Sequence, residues 1–420
     1  FLNYYGFNIR EGGDKCMNKS FDFDWMINGK IIPFKLSKFF EKLISEDNHN
    51  EVIKYYELLI NEGYESQMND YCKRHYCKAL YNLLKKEESI DICIEYVDKI
   101  TSNSEQMPSE KEHYNQYVNS IIFLVKRIKK SNNPNYNTIY RQLTKLNPDI
   151  LSSSELELVS SDGKDYVNVS SRELYYTLYI KSLIKIENFD LCIAVADKAL
   201  KSIDKWNYEN DVWIVSRVHY AKCRLAHNFE EDVKEYINFA YYMNKWFLYS
   251  KIADVHFRQG IIDKSIHFYA KAIITSNHKD IEGLVNVLYD FALLLIDKYE
   301  NIAKKLLILC YQTRKNNGWS LSPGIKYYAK LLDLELDTKV NFRGLQKDLV
   351  KLTDMAHGEI KFFNKEKKFG YIKMNNKREI RFKGEVRHFK EYRAKRQVYF
   401  DIYYDLNIKR NRAKNLFFLD

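Results

Sequence analysis

Few residues in this sequence have the types and spacing for catalysis. Asp22 and Asp24 flank Phe23 and would share one face of a short strand, where two carboxylates could begin a metal site. No third ligand follows at a telling spacing, so they read as solvent-facing acids. Pro148-Asp149, with Glu155 and Glu157, has the acids of a metal-dependent nuclease core. No Lys stands two residues after either Glu, and Pro148-Asp149 reads instead as a helix boundary. The seven cysteines (Cys16, Cys72, Cys77, Cys93, Cys192, Cys223 and Cys310) are scattered singly, with no Cys-x-x-Cys. Such a set fits reduced thiols in a cytoplasmic protein better than a disulfide frame or a zinc site. Phosphate-binding Gly-rich loops, His-Glu-x-x-His and Gly-x-Ser-x-Gly are all missing. The expectation is a non-enzyme with no metal and no cofactor. The chemistry that remains is charge. From His357 to Asp420 there are 18 Lys or Arg against 8 Asp or Glu, a net of +10, while the other 356 residues carry 49 against 48. That asymmetry points to a nucleic-acid or membrane-surface partner for this segment alone. A merely solvated tail would lack its aromatics and its strand patterning.

The elements around that segment follow from composition. The 420 residues are 45% hydrophobic and 29% charged, enough to bury a large core, and only 14 Gly and 5 Pro are present. So few turn residues predict a mostly helical chain. No run approaches 18 apolar residues, so no membrane span is expected, and no basic–apolar–small leader is seen at the front. Residues 1–35 are a mixed segment with a hint of strand around Phe21-Asp22-Phe23-Asp24-Trp25. Residues 36–355 are helical in period, broken by polar clusters at Asp47–Asn50, Ser102–Ser109, Ser131–Asn137, Asn207–Asn210, Ser276–Asp280 and Asn316–Gly324. The longest interruption, 148–171, could separate two helical halves. In it Leu156–Val159 and Tyr166–Val169 flank Asp162-Gly163 as a small hairpin would.

Within the helical stretch, Tyr249, Ile252, Ala253, His256, Gly260, Ser265, Tyr269 and Ala272 fall at successive steps that resemble the tetratricopeptide repeat. Small residues at Ala253, Ser265 and Ala272 would let two helices cross closely, and Gly260 would permit the turn. The preceding units align Tyr220, Cys223, His227 and Tyr236, and before them Tyr176, Leu183, Glu187 and Ala196. Both depart from the family, with Glu187 and His227 in place of the turn Gly. An irregular α-solenoid of helical hairpins is the architecture expected. The resemblance implies that such an array docks a protein partner. His219, His227, His256 and His267 read as packing or surface residues.

From Gly358 the period changes to two. Ile360 and Phe362, Phe369 and Tyr371, Ile380 and Phe382, and Val398, Phe400 and Ile402 alternate with polar residues, so 356–420 reads as a small five-stranded β-barrel. Gly358-Glu359-Ile360-Lys361-Phe362-Phe363-Asn364 and Lys367-Lys368-Phe369-Gly370-Tyr371-Ile372 resemble the opening of the cold-shock domain, an OB-fold. Glu379–Lys383, Val398-Tyr399-Phe400 and Ala413–Leu416 resemble its later strands, in order. The resemblance implies a platform of outward rings on which unpaired bases stack, with cations meeting the phosphates. Carried over position by position, the binding residues would be Lys361, Phe362, Phe363, Lys367, Lys368, Phe369, Tyr371, Arg381 and Lys383. Arg381 and Lys383 stand where the family has an aromatic and a His, so affinity should lean more on charge. Lys368 and Lys395 replace turn glycines.

The fold expected is thus mainly α, a helical-hairpin solenoid, with a C-terminal five-stranded barrel. The function expected is a non-enzymatic adaptor that holds single-stranded RNA or DNA on the barrel and a protein on the helices, with no membrane. The alternatives are a pure interaction scaffold with a degenerate OB-fold, or an accessory subunit of a nucleic-acid-processing or defence complex.

Overall fold

A computed structural model describes residues 24–27, 29–106, 116–131, 133–154, 156–159, 165–376, 378–384, 390–405 and 409–418. Asp22 and Cys16 lie outside the described residues. Among these residues there are sixteen α-helices, and a closed five-stranded β-barrel follows them. None of the described helices is long and apolar enough to cross a membrane.

The chain forms two compact units. The first holds the described residues up to Glu187 together with Lys198–Tyr208. It starts with a hairpin, β1 (Met26–Ile27) and β2 (Lys30–Ile31), followed by α1 (Pro33–Ser45), α2 (His49–Asn61), α3 (Asp70–Lys86), α4 (Ile90–Asn103), α5 (Gln116–Lys130) and α6 (Tyr136–Leu143). A second antiparallel hairpin, β3 (Leu156–Val159) and β4 (Asp165–Asn168), precedes α7 (Ser171–Lys185). It lies within a residue of the one read from Asp162-Gly163. Polar side chains cap several of the helices, two of them in the breaks read from the sequence (Asn135 and Ser170). Asn69 accepts from the Cys72 N–H at 3.0 Å, Asn135 from Thr138 at 3.0 Å and Ser170 from Glu173 at 3.2 Å. Each such cap is worth about 1 kcal/mol. Inside, Leu36, Phe40, Val52 and Leu80 are fully buried, and Tyr56 stacks on Tyr76 with centroids 4.0 Å apart.

The second unit holds Asn188–Asp197 and the described residues from Glu209 on. The chain thus passes between units at 187–209, later than the interruption at 148–171. The helix α8 (Phe189–Ser202) begins in this unit. Then come α9 (Asn210–Leu225), α10 (Phe229–Met243), α11 (Trp246–Arg258), α12 (Ile262–Thr275), α13 (Ile281–Leu295), α14 (Glu300–Asn316), α15 (Pro323–Leu331) and α16 (Phe342–Val350). The repeat positions Tyr249, Ile252, Ala253, Ser265 and Ala272 are all buried, as close packing of α11 on α12 requires. Gly260 turns between them at φ +72°. Glu187 holds a left-handed turn at φ 59°, but near His227 the left-handed residue is Ala226, at 57°, one position earlier than the repeat spacing places it. His256 stacks on Phe268 at 5.5 Å, and burial pushes its imidazole down to about 4, so it packs as a neutral ring. The six described cysteines are buried and free, and burial lifts the Cys77 and Cys192 thiols to about 11 and about 12. Such thiols are poor nucleophiles and poor ligands.

The barrel consists of β5 (Ala356–Asn364), β6 (Phe369–Met374), β7 (Glu379–Lys383), β8 (Gln397–Asp405) and β9 (Arg410–Phe418). It closes in the order β5-β6-β7-β9-β8, antiparallel except for the β7–β9 pair, which is consistent with an OB-like fold. Ile360, Ile372, Phe382, Val398 and Phe400 fill it. Each such side chain, fully buried, contributes about 1.5–3 kcal/mol.

The barrel is bonded into the helices of its own unit. Lys271 of α12 is fully buried, and its Nζ lies 2.7 Å from Asp401 Oδ1 on β8. The register shifts between Tyr399 and Asp401, where β9 carries one extra residue, a bulge opposite this carboxylate. Asn415 Nδ2 donates to Asp401 Oδ2 at 2.8 Å and to the Tyr249 hydroxyl at 3.0 Å. Gln346 Nε2 donates to the carbonyls of Ile273 and Ser276, both at 2.9 Å, and ties α16 to the end of α12. Arg343, also on α16, donates to the Phe418 carbonyl and covers the Phe417 ring at 4.0 Å.

Candidate nucleic-acid interface

Strict alternation would put Phe362 on the same face as Ile360. The structure corrects this. The register shifts between Ile360 and Phe362, leaving Lys361 as a bulge in β5. Ile360 pairs with Ile372 and points inward, while Phe362 pairs with Tyr371 and is 43% exposed. One extra residue reverses the parity of the strand beyond it. The same reversal turns Phe363 inward. Its ring packs on Phe382 at 5.8 Å and on Tyr392 at 4.4 Å, among the core side chains. Of the rings read from the motifs, Phe363 therefore does not stand with the others.

The other three do stand together. Phe362 lies 5.4 Å from Tyr371 with planes 32° apart, and Phe369 lies 6.3 Å from Phe362 and 6.2 Å from Tyr371, edge-on to both. Gly370 sits between Phe369 and Tyr371 because its side of β6 faces the core. A Cβ there would come within 2.5 Å of the Phe382 ring and 2.6 Å of the Phe362 carbonyl. Arg381, the register partner of Tyr371, lays its guanidinium 4.3 Å from the centroid of Phe369. Lys383 is the register partner of Phe369 and is exposed. Lys361 is held by Glu379 at 2.6 Å. Among the described residues Lys367, Lys368 and Lys383 make no ion pair, so their charges are available to an anion. Lys373, which motif matching passed over, is also exposed, two residues beyond Tyr371 on β6, with Glu359 at 3.9 Å. Its period-two spacing from Tyr371 was the signal that could have found it.

The turn lysines keep the backbone of the residue they replace. Lys368 has φ 51° and Lys395 φ 69°, both left-handed. In the turn between β5 and β6, the Asn364 side chain accepts from the Lys367 N–H at 2.7 Å, and the Lys368 carbonyl accepts from the Gly384 N–H at 2.9 Å. A left-handed residue with a Cβ costs roughly 1–2 kcal/mol, of which glycine's extra freedom when unfolded returns roughly 0.5–1. Lys368→Gly is therefore expected to leave the barrel as stable as before or up to about 1.5 kcal/mol more stable. Urea unfolding checks this; a clear loss of stability would mean that the Lys368 side chain is needed to form the turn.

What the fold and the site define together is a helical-hairpin body carrying a closed OB-like barrel with an exposed aromatic and cationic face. Among the described residues no group of three or more His, Cys, Asp or Glu could hold a metal ion. No family model matches the chain, and no curated protein matches it in sequence. Among solved structures, the C-terminal part of a TPR repeat-containing protein from Cytophaga hutchinsonii is similar to it, with a TM-score of 0.30 and 12% identity, over 69% of this chain and 98% of that one. No enzyme family is indicated.

Proposed function

We propose that the barrel is a cold-shock-like module that holds single-stranded nucleic acid, and that the helical array docks a protein, making the chain a non-enzymatic adaptor. The observation that carries this reading is the outward cluster of Phe362, Phe369 and Tyr371 with Arg381 over one ring. Rings left in water on adjacent strands of a barrel do little for its core. They offer flat faces to bases that are not paired. Lys367, Lys368 and Lys383 would meet the phosphates, within a segment whose net charge is +10. Arg381 stands where the resembled family has an aromatic, and its guanidinium plane can continue the stack. Stacking does not read the sugar, so RNA and DNA are both admitted.

Fluorescence anisotropy of a labelled short single strand against the full chain tests this. Binding should weaken steeply with salt. For about five contacted phosphates, the slope of log K against log salt should be near −3.5. If no short strand, RNA or DNA, binds at low salt, the reading is wrong.

A further inference from the structure

The row of outward side chains that begins at the three rings runs on around the barrel. Phe362 pairs with Tyr371, Tyr371 with Arg381, Arg381 with Arg412 across the parallel β7–β9 pair, and Arg412 with Tyr403. Directly paired residues share a face of the sheet. These five side chains thus form one girdle of rings and guanidinium groups, crossing five strands in about 19 Å at about 4.8 Å per step. Two residues from Arg412 on β9, Lys414 Nζ lies 6.0 Å from the Tyr403 centroid and 5.1 Å from that of Tyr242, and it donates to the Tyr242 carbonyl at 2.7 Å. Tyr242 belongs to α10, not to the barrel. Its neighbour Tyr241 is turned in against Lys271 at 4.0 Å, whereas Tyr242 is 77% exposed. A ring so open contributes little to packing. It stands beside a cation that lies two residues from Arg412 along β9, at the edge of this row of rings and guanidinium groups.

We propose that a single strand bound on the barrel follows this girdle and crosses onto the helical body at Tyr242, which supplies a further stacking ring. The proposal rests on the reading of the barrel as a single-strand binder. Each part has a role in it. The Phe362, Tyr371 and Tyr403 rings stack bases, Arg381 and Arg412 stack and meet phosphate, and Lys414 neutralises the backbone where the strand leaves the barrel. The helical array then sets how long a strand is held, which a barrel alone would not do.

The test uses the full chain and two labelled strands, one of about 4 nucleotides and one of about 10, within the range OB-folds take. Tyr242→Ala should weaken the longer strand about 5- to 150-fold and the shorter one little, and Tyr242→Phe should restore the longer strand's affinity because the ring is what stacks. If the unsubstituted chain binds both strands and Tyr242→Ala still binds the longer one as tightly, the crossing onto α10 is wrong while the barrel reading stands. If the unsubstituted chain binds neither strand, both fall together.

Discussion

Asp401→Ala is expected to destabilise the second unit by about 3–5 kcal/mol, the cost of stranding one partner of a buried ion pair. Lys271 has no access to water to fall back on. Burial already lowers its affinity for a proton, and the Asp401 carboxylate is the main influence opposing that. Without the carboxylate the ammonium would face the Tyr241 and Tyr249 rings, at 4.0 and 5.0 Å, with Asp354 the remaining acid that favours its charge, and Asn415 would lose the acceptor it holds at 2.8 Å. The loss should appear in calorimetry as a fall of roughly 6–20 °C in the transition of this unit, at about 2–4 °C per kcal/mol. The double variant Lys271→Met, Asp401→Leu removes both charges and should recover most of the loss, because apolar pairs commonly replace buried ion pairs without penalty. A single variant that melts within a degree of the parent would show that the pair does not hold the barrel to α12. Proteolysis gives a second view, since a barrel released from α12 should become cleavable in the connection at 351–355, which joins α16 to β5.

Much of this architecture is legible in the residues because its causes are local. Asn69, Asn135 and Ser170 begin helices by capping their own first turns, and Asp162-Gly163 marks a hairpin whose strands lie beside it in sequence. The switch from a period of 3.6 to one of 2 after Met355 marks the barrel for the same reason. What the residues do not reveal depends on distant partners. The bulge at Lys361 exists only against β6, and it decides that Phe362 faces water and Phe363 faces the core. The Lys271–Asp401 bond joins residues 130 apart, and Lys271 looks in sequence like any lysine on a helix. The girdle through Arg412 and Tyr403 needs the parallel β7–β9 pairing, which no spacing along the chain encodes. The left-handed turns at Lys368 and Lys395 lie between these cases, since a glycine position can be expected there while a lysine gives no local sign of φ 51° or 69°.

Removing two rings from the exposed cluster is the other large effect. Phe362→Ala with Tyr371→Ala takes away two stacking faces, each worth roughly 1–3 kcal/mol per base, so affinity should fall about 30-fold to more than 10,000-fold. Neither substitution reaches the core residues Ile360, Ile372 and Phe382, so the barrel should still fold. The most direct measurement is anisotropy of one labelled short single strand at one low salt concentration, with the full chain and the double variant compared side by side and both shown to be folded by circular dichroism. The rings as a base-stacking surface predict at least a 30-fold loss; equal affinity in two folded proteins would contradict it.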